Sequence, residues 1–301
     1  MERFESLENC PVCTDSDIVF FRKATLEASS LRPESVKITD KDYGKTWELW
    51  RCQSCTHTFA NPVPTKTFIA SLYRQIEDPL YEEEAEGRAK NFLPLLRFLE
   101  KVHPDRGRLF DVGAATGIML NLARTRGWQP AGIETSRWSV QTAAQKYQIL
   151  LEEGDFAEAD LPSDTYDAVT MIDFIEHIPD PFPALAKAHQ ILTAEGILCV
   201  VTPDLRSMAA RAAGKKWWHF RPAHLSYFNR KSLTRLCQRA GFEVLKIRRY
   251  SWTFSANYLL SRLPVTEFLL KIPILASFSR RIPIKLALKD SLEFYLKKKS
   301  L

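Results

Sequence analysis

Four of the six cysteines fall into two C-x-x-C pairs near the N-terminus, Cys10/Cys13 and Cys52/Cys55. Each pair turns on a tight loop that lets both sulfurs face one ion. Four thiolates satisfy a tetrahedral zinc ion and leave it no open position. The expected chemistry at Cys10, Cys13, Cys52 and Cys55 is therefore structural metal binding, by zinc or by iron in its place. Disulfides are the alternative, which this spacing in a reducing compartment argues against. His57, just past the second pair, reads as a surface or packing histidine. Cys199 and Cys237 stand in apolar segments and read as small buried residues.

A second set of residues starts at RLFDVGAATGIML. Gly113 lets the backbone turn where a side chain would clash, and Ala115 keeps the loop small. Gly117 opens the following helix against the strand, so a ligand can lie on the backbone itself, facing helix N-terminal N–H groups. A dinucleotide loop needs G-x-G-x-x-G, yet Ala115 and Ile118 stand where its later glycines belong. Glu134 ends the next strand, 21 residues beyond Gly113. There a carboxylate can accept hydrogen bonds from both hydroxyls of a ribose. Asp155 and Phe156 follow in EEGDF, and the stretch YDAVTMIDFIEHIPDP closes the series.

The elements that must position these residues follow from the apolar patterning. From Arg108 to about Tyr250, short apolar strands alternate with amphipathic helices: RLFDV, IMLNLARTR, QPAGIE, SRWSVQTAAQKY, QILLEE, YDAVTMI, PALAKAHQIL, GILCVVT, KSLTRLCQRA and FEVLKIRR. That alternation specifies a parallel sheet with helices on both faces. Residues 1–64 read as the metal module, 65–107 as a helical connector, 108–250 as the α/β core and 251–301 as an apolar and basic helical insertion ending in a final strand, SLEFYLKK.

The motif D-V-G-x-x-x-G, with Asp111, Gly113, Ala115 and Gly117, resembles the first motif of class I S-adenosylmethionine-dependent methyltransferases. The segment from Tyr166 to Pro181 is similar to the fourth-strand region of ubiquinone-pathway O-methyltransferases. CPVC and RCQSCTHTFANPVPT resemble the zinc-binding segment that precedes the methyltransferase domain of some sugar C-methyltransferases. RPAHLSYFNRKSL resembles a P-x-H-L-x-x-F stretch of the same broad group. The resemblance implies a Rossmann-like fold: a seven-stranded, mostly parallel sheet with an antiparallel last strand, preceded by a small zinc-ribbon-like module. It implies S-adenosylmethionine as cofactor, held by Asp111, Gly113, Ala115, Gly117, Glu134, Asp155, Phe156, Ile172 and Asp173. His177, after the fourth strand, is the leading candidate base, and His224 the second. Trp217, Trp218, Phe220 and Tyr227 offer either an aromatic lid or ordinary core.

Charge bears on the partner. The formal net charge is +6, and residues 251–301 alone carry nine cations against three acids. The remainder is neutral, and the interval from Thr14 to Arg51 balances seven cations with seven acids. No basic working face of the kind nucleic acid needs is evident. Phe, Leu and Ile interspersed with Lys and Arg over 253–285 suit either packing on the core or peripheral membrane contact. Met1 to Glu8 is polar and acidic, without the pattern of a secretory signal, so the cytoplasm is the expected location. The expected activity is methyl transfer to an oxygen or carbon of a small molecule, sugar or lipid-linked glycan. The alternatives are an RNA or protein methyltransferase that grips its substrate with the zinc module, and a non-catalytic binder of S-adenosylmethionine.

Overall fold

Two runs of short strands and helices meet in the computed structural model, which describes residues 3–27, 29, 31–262 and 272–299. The N-terminal run holds β1 (Phe4–Glu5), β2 (Ile18–Arg22), β3 (Leu49–Cys52), β4 (Thr58–Ala60) and β5 (Val63–Pro64). Three helices follow: α1 (Lys66–Arg74), α2 (Pro79–Glu83) and α3 (Ala85–Val102). The α/β run comprises β6 (Arg108–Val112), α4 (Ile118–Thr125), β7 (Gln129–Glu134), α5 (Arg137–Thr142), β8 (Glu152–Glu153), β9 (Tyr166–Ile172), α6 (Phe182–Ile191) and β10 (Leu192–Pro203). After it come α7 (Met208–Ala213), β11 (Ser226–Tyr227), α8 (Arg230–Arg239), β12 (Phe242–Ser255), α9 (Ala256–Leu260), α10 (Pro273–Arg280) and β13 (Pro283–Lys298).

The main sheet has seven strands in the order β12–β13–β10–β9–β6–β7–β8. Its members from β8 to β10 pair in parallel, while β13 runs antiparallel to both of its neighbours. Period-two alternation divides the apolar residues between two faces. Phe110, Val169, Leu198 and Phe294 pack with Leu185 of α6 and Leu236 of α8. Leu109, Ala168, Ile197 and Tyr295 pack with Leu96 of α3 and Leu120 of α4. The sheet crosses over between β6 and β9, so the turns after β6 and β9 diverge and open a crevice at the carboxyl edge.

Three boundaries differ from the sequence reading. The strand expected over QILLEE shrinks to Glu152–Glu153, because β8 is an edge strand with a single partner, β7. The helical character expected beyond Tyr250 is interrupted by strand. β12 continues to Ser255 and β13 begins at Pro283, so 252–255 and 283–286 pair as a two-stranded arm beyond the main sheet. A register shift between Tyr250 and Trp252, and a left-handed Lys289 (φ +56°), separate arm from sheet. Part of the apolar basic segment, 263–271, lies outside the described residues.

The N-terminal module is built into the body. β11, which follows β10 by some two dozen residues, pairs antiparallel with β4 and completes a four-stranded sheet. Trp47, Leu49 and Val63 of the module share one core with Ile69 and Leu72 of α1 and with Trp217, Phe220 and Tyr227. The aromatic group around Trp217 is therefore core. Trp217 is fully buried and donates its indole N–H to Asp290 Oδ2 at 3.2 Å.

Candidate active site

The carboxyl ends of β6, β7, β8 and β9 open onto a cavity of about 270 Å³. The loop after β6 forms one wall. Gly113 holds φ +70°, and a Cβ placed there would stand 3.0 Å from the Phe174 ring, so only glycine keeps the cradle open. Ala115, itself left-handed at φ +47°, donates its N–H to Glu134 Oε2 at 2.8 Å. Glu134 Oε1 accepts the N–H groups of Thr135 and Ser136 at 2.7 and 2.8 Å. The carboxylate is thus locked across two turns while facing the cavity. Burial raises its pKa, and the backbone donors oppose the rise.

Asp155 follows β8, the strand paired with β7, and also lines the cavity; it caps the Ala157 N–H at 2.8 Å and lies 3.5 Å from Lys66 Nζ. Phe156 lines it too and packs on Phe110, ring centroids 5.7 Å apart. Asp173, left-handed at φ +49°, also lines the cavity. Its Oδ1 is buried without a partner, and burial pushes its pKa up to about 6.

Four of the expected residues sit behind the wall. Asp111 is buried between strands, accepts the Thr170 hydroxyl at 2.6 Å, and is pushed by burial up to about 7. Gly117 caps α4 with φ +78°, with a hypothetical Cβ 3.3 Å from Ala143. Ile172 packs into the face shared with α3 and α4. These three shape the loop without lining the cavity: Asp111 and Ile172 turn into the interior, and Gly117 carries no side chain. His224 is 3% exposed, with its ring centroid 4.7 Å from that of His177 and perpendicular to it. Its Nδ1 has no hydrogen-bond partner. It supports His177 from behind.

His177 does line the cavity. Its Nδ1 lies 3.0 Å from the Ala223 carbonyl and 2.8 Å from the Tyr73 hydroxyl. A carbonyl only accepts, so the proton resides on Nδ1 and the Nε2 lone pair is left free. Burial, and then the Arg221 cation, depress its pKa to about 3, which keeps the ring neutral at pH 7. With Nδ1–H also pointing to its oxygen, Tyr73 is free to donate its own proton toward the cavity, which it lines.

Sequence patterning did not single out Tyr73. It lies in an amphipathic helix, TKTFIASLYRQ, where one more aromatic residue looks like core. Nor did it single out Glu176, fully buried beside His177, which accepts the Thr202 hydroxyl at 3.0 Å and whose pKa burial raises. Arg221 is held by Asp40 and by the carbonyls of Lys37 and Ile38 at 2.9 and 3.0 Å, tying the segment that carries His224 to the N-terminal module.

The four module cysteines converge. Sγ atoms of Cys10 and Cys55 lie 3.6 Å apart, those of Cys13 and Cys52 3.5 Å, and all four within 4.8 Å of one another. A tetrahedral ion at the usual zinc–sulfur distance sets sulfurs about 3.8 Å apart, so this donor set fits one. Both knuckles make the same turn: Thr14 and Thr56 are left-handed and donate to the carbonyls of Cys10 and Cys52 at 2.9 and 3.0 Å. α8 clasps both, Arg239 donating to the Pro11 and Val12 carbonyls and Lys231 to that of Ser54. His57 is not at the surface. It is fully buried, 3.3 Å from Ser226 Oγ and packed on Phe59 and Phe228, between module and body.

The strand order, the antiparallel β13 and a cavity floored by a glycine turn and walled by Glu134 define the Rossmann-like sheet of class I methyltransferases. The chain belongs to the methyltransferase-domain family, whose model matches residues 81–247. Among curated relatives, it is 24% identical over 148 residues to 2-methyl-6-phytyl-1,4-hydroquinone methyltransferase 2 of Oryza sativa subsp. japonica, covering 47% of this chain and 40% of the relative. It is 30% identical over 99 residues to a ubiquinone biosynthesis O-methyltransferase of Alkalilimnicola ehrlichii, covering 30% and 38%. The chain thus spans about two fifths of these relatives' lengths. A protein of Pyrococcus horikoshii OT3 shares the fold at a TM-score of 0.50 and 15% identity, over 75% of this chain and 95% of its own.

Proposed function

We propose that the protein transfers a methyl group from S-adenosylmethionine to an oxygen or carbon of a small-molecule acceptor, with sugars and lipid-linked glycans within that class. The observation that carries this reading is one cavity lined by the locked Glu134 carboxylate together with Gly113, Ala115, Asp173 and His177. Glu134 would take a ribose hydroxyl, Phe156 would lie on the adenine ring and Asp155 near its amine. The bound cofactor supplies an electrophilic sulfonium methyl. The relatives named for a hydroquinone and for ubiquinone biosynthesis support a small acceptor.

This chain's own residues supply orientation and a proton path. Neutral His177, its tautomer set by the Ala223 carbonyl, presents Nε2 as acceptor for a hydroxyl or acidic C–H proton. Tyr73 donates to the same acceptor and orients it. Cys10, Cys13, Cys52 and Cys55 hold zinc as a brace: four ligands leave no position for substrate. The brace acts through β4 on β11 and so on the segment from Arg221 to Tyr227 that backs His177.

A second reading, in which an RNA is the substrate and the zinc module grips it, is favoured by one feature. Folding brings Arg206, Arg230, Lys231, Arg235 and Arg249 into a cleft of about 900 Å³ between module and α8, against Asp15 and Asp204. Incubation with labelled donor decides between the two. Label entering phenolic or sugar acceptors, and lost in His177→Ala, supports the first reading; label entering only RNA replaces it with the second. Incorporation into no acceptor, together with no binding of S-adenosylhomocysteine, overturns both.

A further inference from the structure

We propose that α10 and the arm formed by β12 and β13 dock on an anionic lipid surface. Fifteen large apolar side chains are exposed among the described residues, and seven of them fall between 272 and 288: Ile272, Ile274, Leu275, Phe278, Ile282, Ile284 and Leu288. Ile274 is 80% exposed and Phe278 65%. Apolar side chains scattered singly need no explanation, whereas so many within a few turns mark a surface built to be covered. Both faces of β13 are open to solvent from Pro283 to Lys285 and again at Ala287 to Lys289, while the β12 half of the arm is fixed to the body: Asn91 of α3 exchanges hydrogen bonds with the Thr253 backbone, and Glu84 accepts the Ser255 N–H and hydroxyl.

Charge selects the occupant. Residues 272–289 hold four cations, Arg280, Arg281, Lys285 and Lys289, and no acid. A second copy of this surface would bring like charges together, and an acid-free apolar and basic strip is complementary to anionic headgroups over acyl chains. No helix among the described residues is long and apolar enough to cross a membrane, so the contact would be peripheral. Its position also has a consequence. Arg280 lies 3.8 Å from Glu83 at the end of α2, and Tyr81 of that helix lines the cavity. Docking turns that side of the cavity toward the bilayer. That an acceptor then enters from the lipid phase rests on the methyl-transfer reading; docking itself does not.

The test is co-sedimentation of the full chain with phosphatidylcholine vesicles, with and without phosphatidylglycerol, at low and high salt. Wild-type protein is expected to pellet with the anionic vesicles and to be released by salt. The double variant Ile274→Glu/Phe278→Glu should bind at least about tenfold more weakly. Arg281→Gln/Lys285→Gln should lose the preference for anionic vesicles. All four positions are exposed, and an unchanged thermal midpoint for each variant excludes misfolding as the cause. Wild-type protein that ignores anionic vesicles, or a double variant that binds as well as wild type, overturns the proposal. So does sedimentation velocity showing a dimer that Ile274→Glu/Phe278→Glu dissociates while vesicle binding is absent, which assigns the surface to a second copy.

Discussion

Glu134→Gln isolates one bond in the cofactor site. The Glu134 carboxylate already accepts three backbone N–H groups, those of Ala115, Thr135 and Ser136, at 2.7 to 2.8 Å. A carboxylate offers about four acceptor positions, so one remains, on Oε2. The spacing of the sequence suggests a grip on both ribose hydroxyls; the geometry leaves room for one. A hydrogen bond to a charged group contributes about 1.5–3 kcal/mol, and about 1.4 kcal/mol is tenfold in affinity. The glutamine keeps the shape but turns a donor toward the Ala115 N–H or the ribose. S-adenosylhomocysteine should therefore bind about 10- to 150-fold more weakly to Glu134→Gln than to wild type. Isothermal titration gives both constants, and a urea midpoint confirms that the variant is folded. A loss below threefold would falsify the ribose contact. A loss beyond about a thousandfold would mean that both hydroxyls are held, and that cofactor binding displaces one of the three amides.

Gly113→Ala places Cβ 3.0 Å from Phe174 at φ +70°. It should cost about 1–3 kcal/mol in a urea titration and abolish measurable S-adenosylhomocysteine binding; near-wild-type binding would show that the cradle is elsewhere. His177→Ala should lower kcat by about a hundredfold with little change in S-adenosylhomocysteine affinity. A matching loss of affinity would assign His177 to cofactor binding instead. Buried His57, depressed by burial to about 3 from 6.5, is neutral when folded and protonates on unfolding. Its stabilisation is full above pH 6.5 and falls as pH drops toward 3, by about 2 kcal/mol between pH 7 and 5. His57→Phe should flatten that slope, and an unchanged slope places the titration in other groups. Metal analysis should find one zinc per chain, and chelation should raise hydrogen exchange at Ser226 and Tyr227 by more than about tenfold; exchange that stays put would show that the module does not brace β11.

Local chemistry marks much of the candidate site in the sequence itself. A glycine that must turn left-handed, a carboxylate at a strand end and two cysteines on one tight loop announce themselves within a few residues, because the constraint acts over that range. Gly113, Ala115, Glu134, Asp155, Phe156, Asp173 and His177 all line one cavity, and the four cysteines share one centre. The same alternation of strand and helix specified the parallel sheet, since a β-strand feeding a helix has one favoured way to return.

Contacts between residues far apart in sequence were legible only in three dimensions. Tyr73 and His177 meet across a separation of 104 residues, β11 joins β4 across more than 160, and five cations gather from three segments that each look balanced or short. Patterning cannot separate Asp111, Ile172 and His224, behind the cavity wall, from residues on it. Side-chain direction at a strand end depends on which neighbours pair there. Nor does composition reveal whether an apolar segment is covered. Ile274 and Leu296 are equally hydrophobic, and only the packing of β13 against β10 and β12 buries one while the other stays in solvent.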